Sequence, residues 1–146
     1  MSSIAPASHD VVVVTPNYHP AATLVARLLM AAIFLVFGMR KALAFAGTVG
    51  YFTKLGFPMP EVMVVLAILI EIGGGILLVI GLRTRWVAWL LALFVVIGTL
   101  MAHRYWEFEA AQYANQMSHF FKNLCIIGGL MMVACFGAGP LSIDKR

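Results

Sequence analysis

Four long apolar stretches, separated by short polar or glycine- and proline-containing segments, constrain this chain more than any other feature of its sequence. They fall at about residues 21–46, 61–80, 86–103 and 119–136. Each is near the ~20 residues that an α-helix needs to cross ~30 Å of hydrocarbon. The chain is 62% hydrophobic and only 11% charged, outside the range of soluble proteins. We therefore predict an all-α integral membrane protein, a four-helix transmembrane bundle with up-down topology.

The segments outside these stretches suggest one membrane domain, at residues 21–144, between an N-terminal tail of residues 1–20 and a C-terminal end at 145–146. The tail lacks the basic segment and cleavage site of a secretory signal, so we expect it to stay attached. Four spans put both termini on one side of the membrane. Basic residues are nearly balanced between the two sides, and the exposed basic turn at residues 83–85 leads us to expect cytoplasmic termini. The charges sit singly or in pairs at segment ends, which does not favour nucleic-acid binding.

Glu71 is a carboxyl group inside an apolar stretch, followed by the glycine run 73–75. An ionisable group at this depth normally faces protein and has a partner, and glycines beside it allow close helix packing. Counting residues from the ends of the stretches places Arg27 within reach of Glu71 and Lys41 nearer the opposite surface. We predict an Arg27–Glu71 ion pair. It either fixes helix register or has a catalytic role in proton transfer or ligand binding.

A second polar group is predicted at the surface opposite the termini. His103 and Trp106 end the third stretch on the same helix face as Thr99, and His119 and Asn123 open the fourth at i, i+4. Together with Lys41 they form a candidate ligand-binding pocket at the mouth of the bundle. The alternative is a set of interfacial histidines and a lysine whose side chain extends to the surface. Two histidines without a carboxylate at metal spacing are a poor metal site, so we expect no metal.

Several short motifs, in order along the chain, resemble the DoxX family of small four-helix membrane proteins. The resemblance covers about residues 22–144 and leaves out the first 20. One departure is the Arg40-Lys41 doublet, where a single lysine after a small residue is expected. The matching elements are Arg27 with Phe34, Gly38 and Lys41; residues 50–52 and 55–58; residues 71–75 and 81–85; His103 with Trp106; and residues 122–124, 128–130 and 137–144.

The resemblance implies a location in the bacterial inner membrane, in contact with lipid. Some members of the family are membrane subunits of a thiosulfate:quinone oxidoreductase, and others are partners of a superoxide dismutase and a sulfurtransferase. Two functions follow as expectations: a quinone-linked redox component of the membrane, or a non-catalytic scaffold that docks partner proteins. The sequence contains no flavin, haem or cluster-binding motif. Electron transfer would therefore need a bound quinone or a protein partner, and a homo-oligomer is a further possibility.

Overall fold

The computed structural model describes residues 19–145, so most of the predicted N-terminal tail lies outside the described residues. Four of its helices are long and apolar enough to cross a membrane, which confirms the predicted four-helix membrane bundle. A fifth, shorter helix lies in the first connector, and a single 3-10 turn lies between the last two long helices. The helices are α1 (Pro20–Leu43), α2 (Phe45–Lys54), α3 (Pro60–Ile80), α4 (Thr84–Ala102) and α5 (Ala110–Phe136).

Two helix boundaries differ from the prediction. The first span ends at Leu43, because Ala44 leaves the helical region (φ −109°, ψ 42°) and a new helix, α2, begins at Phe45. The last span begins at Ala110 rather than near His119. Both differences concern helical segments that contain polar residues. Such segments lack the unbroken apolar character by which a membrane helix is recognised in a sequence.

The bundle consists of two closely packed helix pairs, α1 with α3 and α4 with α5, joined side by side through α3 and α4. Residues 81–83 connect α3 directly to α4, and the two helices are antiparallel neighbours, as predicted. The shared core contains the fully buried Leu78, Leu91 and Leu130. In a membrane such contacts stabilise the fold by close van der Waals packing, since the lipid is as apolar as the side chains.

Glycines mark the points where helices approach most closely. A Cβ atom added to Gly75 would lie 2.7 Å from Leu35 Cδ2 of α1, and one added to Gly74 would lie 2.8 Å from Leu91 Cδ2 of α4. Gly73, in contrast, has no atom within 4 Å of an added Cβ. The predicted close-packing role of the glycine run therefore holds for its last two members, which contact two different helices.

The segment after α5 folds back onto the turn between α3 and α4. Ile143 N donates to Ile80 O at 3.2 Å, and Asp144 N donates to Gly81 O at 2.9 Å. The carboxylate of Asp144 accepts hydrogen bonds from Arg83 N at 3.0 Å and Thr84 N at 2.8 Å. Asp144 thus caps the first turn of α4 from 60 residues away in the chain. This end of the bundle, which holds both ends of the described chain, is called the terminal end below.

Candidate functional site

The buried carboxylate of Glu71 is paired with Lys41, not with Arg27. Lys41 Nζ lies 2.8 Å from each of the two carboxylate oxygens. The Glu71 side chain is 7% exposed and that of Lys41 is 22% exposed, so the pair is largely shielded from the membrane and from water. The predicted Arg27–Glu71 pair is wrong.

The error has a simple cause in the register of α1 against α3. An added Cβ on Gly38 would lie 3.0 Å from Glu71 Cβ, so Glu71 is level with Gly38, one turn before Lys41. Arg27 is instead level with Gly81, at the terminal end. About 11 residues separate Arg27 from Gly38, or roughly 17 Å of helical rise, which no arginine side chain spans.

Arg27 instead holds the C-terminal segment in place. Its guanidinium donates to the backbone carbonyl of Ala138 at 2.5 Å and to that of Leu141 at 2.6 Å, with a longer bond to Val79 O at 3.4 Å. The residue is only 2% exposed. These bonds satisfy backbone carbonyls of the segment after α5, which would otherwise lack hydrogen-bond partners. Arg27 is thus a structural residue of the terminal end and lies away from Glu71.

A polar seam joins α4 and α5 on the other side of the bundle. The rings of His103 and His119 stack with their centroids 5.0 Å apart. Asn123 Nδ2 donates to Thr99 Oγ1 at 2.9 Å, and Thr99 Oγ1 donates in turn to Val95 O at 2.6 Å. The helical spacings that grouped Thr99 with His103 and His119 with Asn123 therefore identified residues that meet in the structure.

A second contact of each histidine selects the tautomer that its neutral ring adopts. Lys122 Nζ donates to His119 Nδ1 at 2.9 Å, so the proton of the neutral His119 ring is on Nε2. His103 Nδ1 donates to Gln116 Oε1 at 2.7 Å, which leaves its Nε2 as an acceptor. The stacked pair therefore offers one donor and one acceptor.

An apolar cavity of about 510 Å³ lies between the two helix pairs. The Lys41–Glu71 pair lines it from α1 and α3, and His103, His119 and Asn123 line it from α4 and α5. The remaining lining residues are mainly apolar and aromatic. A volume of this size is typical of small-molecule sites, which combine apolar walls with a few polar groups. The remaining residues that line the cavity are Ile33, Phe34, Phe37, Tyr51, Phe52, Leu55, Phe57, Met63, Leu66, Ala67, Ile70, Phe94, Val95, Ile97, Gly98, Ala102, Lys122 and Ile126.

The Glu71 site and the histidine cluster, which the sequence suggested as two separate groups, line the same cavity. Trp106 does not line it: this side chain is exposed and packs edge-on against Tyr105 and Phe120. The sequence did not indicate that aromatic residues of the first connector cover the cavity. Among them, Phe52 and Phe57 stack with their ring centroids 4.8 Å apart. The connector is rich in aromatic residues, but aromatic residues are equally typical of a membrane interface, so this composition did not indicate a cavity.

Metal binding has no support in the described part of the chain, residues 19–145. No group of three or more His, Cys, Asp or Glu side chains there is arranged to hold a metal ion. Lys122, whose ammonium contacts His119 Nδ1, occupies one of the two ring nitrogens of that histidine. The donors in the cavity are suited to the oxygen atoms of an organic ligand.

Comparisons with known proteins give a consistent picture. A model of the DoxX family matches residues 22–104. The chain is 37% identical to inner membrane protein YphA of Escherichia coli over 128 residues, 87% of this chain and 91% of that protein. It is also 37% identical to inner membrane protein YqjF of E. coli over 122 residues, 84% and 88% of the two chains. ER-derived vesicles protein ERV29 of Saccharomyces cerevisiae is 33% identical over 79 residues, 54% of this chain and 26% of that protein. No solved structure matches at a significant level.

Proposed function

The chain belongs to the DoxX family, and from this premise we propose that it is an inner-membrane protein that binds a quinone in the cavity between its two helix pairs. The inner-membrane location is supported by the names of the two E. coli relatives and by the four apolar spans. The quinone is supported by the chemistry of the cavity walls.

One observation carries this proposal: each wall of the apolar cavity presents a hydrogen-bond donor beside an acceptor. On the α1–α3 wall these are Lys41 and Glu71, and on the α4–α5 wall they are the rings of His119 and His103, whose neutral forms carry a donor and an acceptor at Nε2, respectively. A quinone is a mainly apolar ring with an oxygen on either side. Each oxygen accepts a hydrogen bond in the oxidised form and donates one in the reduced form. A donor and an acceptor on each wall match both forms.

The residues of the pair have distinct roles in this proposal. Lys41 donates to a ring oxygen, and its side chain is held in position by the two bonds to Glu71. Glu71 neutralises the lysine and accepts a hydrogen bond from the ring hydroxyl of the reduced form. At the second ring oxygen, His119 is the donor and His103 is the acceptor. The amide of Asn123 is held at the edge of the site by its hydrogen bond to Thr99. We expect a partner protein to supply two electrons to the bound quinone, as the family resemblance implies, and water to supply the two protons that form its two hydroxyl groups.

Quinone binding is tested by replacing the ion pair as a unit. The double variant Lys41→Met/Glu71→Leu removes both charges without leaving either one unpaired, so the bundle is expected to fold. Its affinity for a short-chain quinone, measured by titration of the purified protein, should fall about tenfold or more, the worth of a hydrogen bond to a charged group.

The matched control is Lys54→Met/Glu61→Leu. Both of these residues are exposed, and neither lines the cavity. This variant should bind the quinone as the wild type does. Equal affinity in all three proteins, or no affinity in any, would rule the proposed function out.

A further inference from the structure

A second concave surface lies at the end of the bundle opposite the terminal end, between the last turns of α1 and the helix α2. It encloses about 430 Å³. Since α1 is a spanning helix and this groove lies at its last two turns, the groove is at the level of the lipid headgroups. Its lining residues are Phe37, Arg40, Lys41, Ala44, Gly47, Thr48, Tyr51 and Phe52.

The groove carries an uncompensated positive charge. Lys41 is neutralised by Glu71, but Arg40 has no carboxylate within 4.0 Å among residues 19–145. Its guanidinium lies 5.7 Å from the centroid of the Phe37 ring, and Lys41 Nζ lies 5.8 Å from the same centroid. The Phe37 ring thus holds both cations beside the groove. An exposed arginine fixed in this way favours a ligand with a negative charge at the membrane surface.

The groove and the quinone cavity share four lining residues: Phe37, Lys41, Tyr51 and Phe52. An occupant with a charged head and an apolar body could therefore place its head at Arg40 and its body along an apolar surface. The hydroxyl of Tyr51, which lines both spaces, can add a hydrogen bond to such a head.

We propose that this groove binds the phosphate of an anionic membrane phospholipid, with Arg40 as the residue that recognises it. An anionic lipid combines the two properties that the site selects, a negative headgroup at the interface and chains that remain among apolar side chains. The proposal goes beyond quinone binding and does not depend on it. The same groove places a bound lipid directly against the aromatic residues that cover the cavity.

The test compares lipids and arginine positions in the full-length protein purified in detergent. Binding of phosphatidylglycerol and of the zwitterionic phosphatidylcholine is measured by native mass spectrometry for the wild type, Arg40→Gln and Arg85→Gln. Arg85 is the matched control, because it is also exposed but lies at the terminal end. Both variants lose one positive charge, and as surface changes both are expected to keep the fold.

We expect the wild type to prefer phosphatidylglycerol and Arg40→Gln to lose about fivefold in affinity for it, the usual contribution of one basic residue at a membrane surface. Arg85→Gln should keep the wild-type preference. Inorganic phosphate should not compete at concentrations comparable to that of the lipid. Equal losses in the two variants, no loss in Arg40→Gln, no preference between the lipids, or full competition by phosphate would each overturn the proposal.

Discussion

Lys41 donates to both carboxylate oxygens of Glu71, at 2.8 Å each, and so joins α1 to α3 through a buried ion pair at the wall of the central cavity. The contact exists because Gly38, one turn before Lys41, lets α3 approach α1 at the level of Glu71. It fixes the register of two spanning helices and also supplies the strongest polar groups of the candidate site.

Reversing the charge of Glu71 should destabilise the fold. Glu71→Lys places two ammonium groups in one buried site, and we expect a loss of about 3–5 kcal/mol in the free energy of unfolding. The exchange Lys41→Glu/Glu71→Lys should restore most of it. Thermal unfolding in detergent measures both. The control is the exposed Glu61→Lys, which loses a favourable charge in the first turn of α3 and should cost no more than ~1 kcal/mol. Wild-type stability in Glu71→Lys would show that this ion pair does not form.

Removing the arginine that holds the C-terminal segment should also weaken the terminal end. Arg27→Met leaves the carbonyls of Ala138 and Leu141 without their donor, at a cost of about 1–3 kcal/mol for each group that stays buried. Because an ammonium lacks the forked geometry of a guanidinium, Arg27→Lys should recover only part of the loss. Limited proteolysis of residues 137–144 reports the loosening. If this segment is as protected in Arg27→Met as in the wild type, the role assigned to Arg27 is incorrect.

The cap on α4 can be tested through the two backbone amides that donate hydrogen bonds to Asp144. Asp144→Ala removes the acceptor for Arg83 N and Thr84 N and should cost about 1 kcal/mol. Hydrogen exchange at these amides should accelerate about fivefold, in line with that free energy. Asp144→Asn keeps one acceptor oxygen and should give an intermediate rate. Unchanged exchange in Asp144→Ala would mean that another group caps the helix.

Two glycines of the same helix pair should differ in their tolerance of alanine. An added Cβ on Gly38 would lie 2.8 Å from Ile72 Cγ1 and 3.3 Å from Ile72 N, so the helices must move apart. We expect Gly38→Ala to cost about 1–3 kcal/mol. Gly73→Ala, with no atom within 4 Å, should be tolerated. Similar unfolding midpoints for the two variants would contradict the close approach of α1 and α3.

Much of the fold was accessible from the sequence, because membrane spans depend on length and apolar composition alone. The residues of the seam between α4 and α5 were accessible in part. Helical spacing put His103 and Thr99 on one face and His119 and Asn123 on another. That the two faces meet did not follow from the spacing, because a connector of residues 104–118 was expected between the helices.

The partner of Glu71 was not accessible by counting residues from helix ends. That method assumes that all helices begin at the same depth, whereas Arg27 lies level with the turn at Gly81, well away from Glu71. A better signal was Gly38, which marks the level of close approach and lies one turn from Lys41. The bonds of Arg27 to backbone carbonyls more than 100 residues away leave no side-chain pattern in the sequence.

The central claim is that the cavity between the two helix pairs holds a quinone, and filling that cavity tests it most directly. Gly98 lines the cavity and has no atom within 4 Å of an added Cβ, so Gly98→Phe should place its ring in the cavity without disturbing the helices. Gly128→Phe is the control, because Gly128 is equally open but does not line the cavity.

The measurement is the amount of quinone that co-purifies with each protein from native membranes, determined by mass analysis of the extracted lipids. We expect the wild type and Gly128→Phe to retain quinone in similar amounts and Gly98→Phe to retain about one tenth or less, for a loss of at least ~1.4 kcal/mol in binding. Equal quinone in all three proteins, or none in the wild type, would contradict the proposed site.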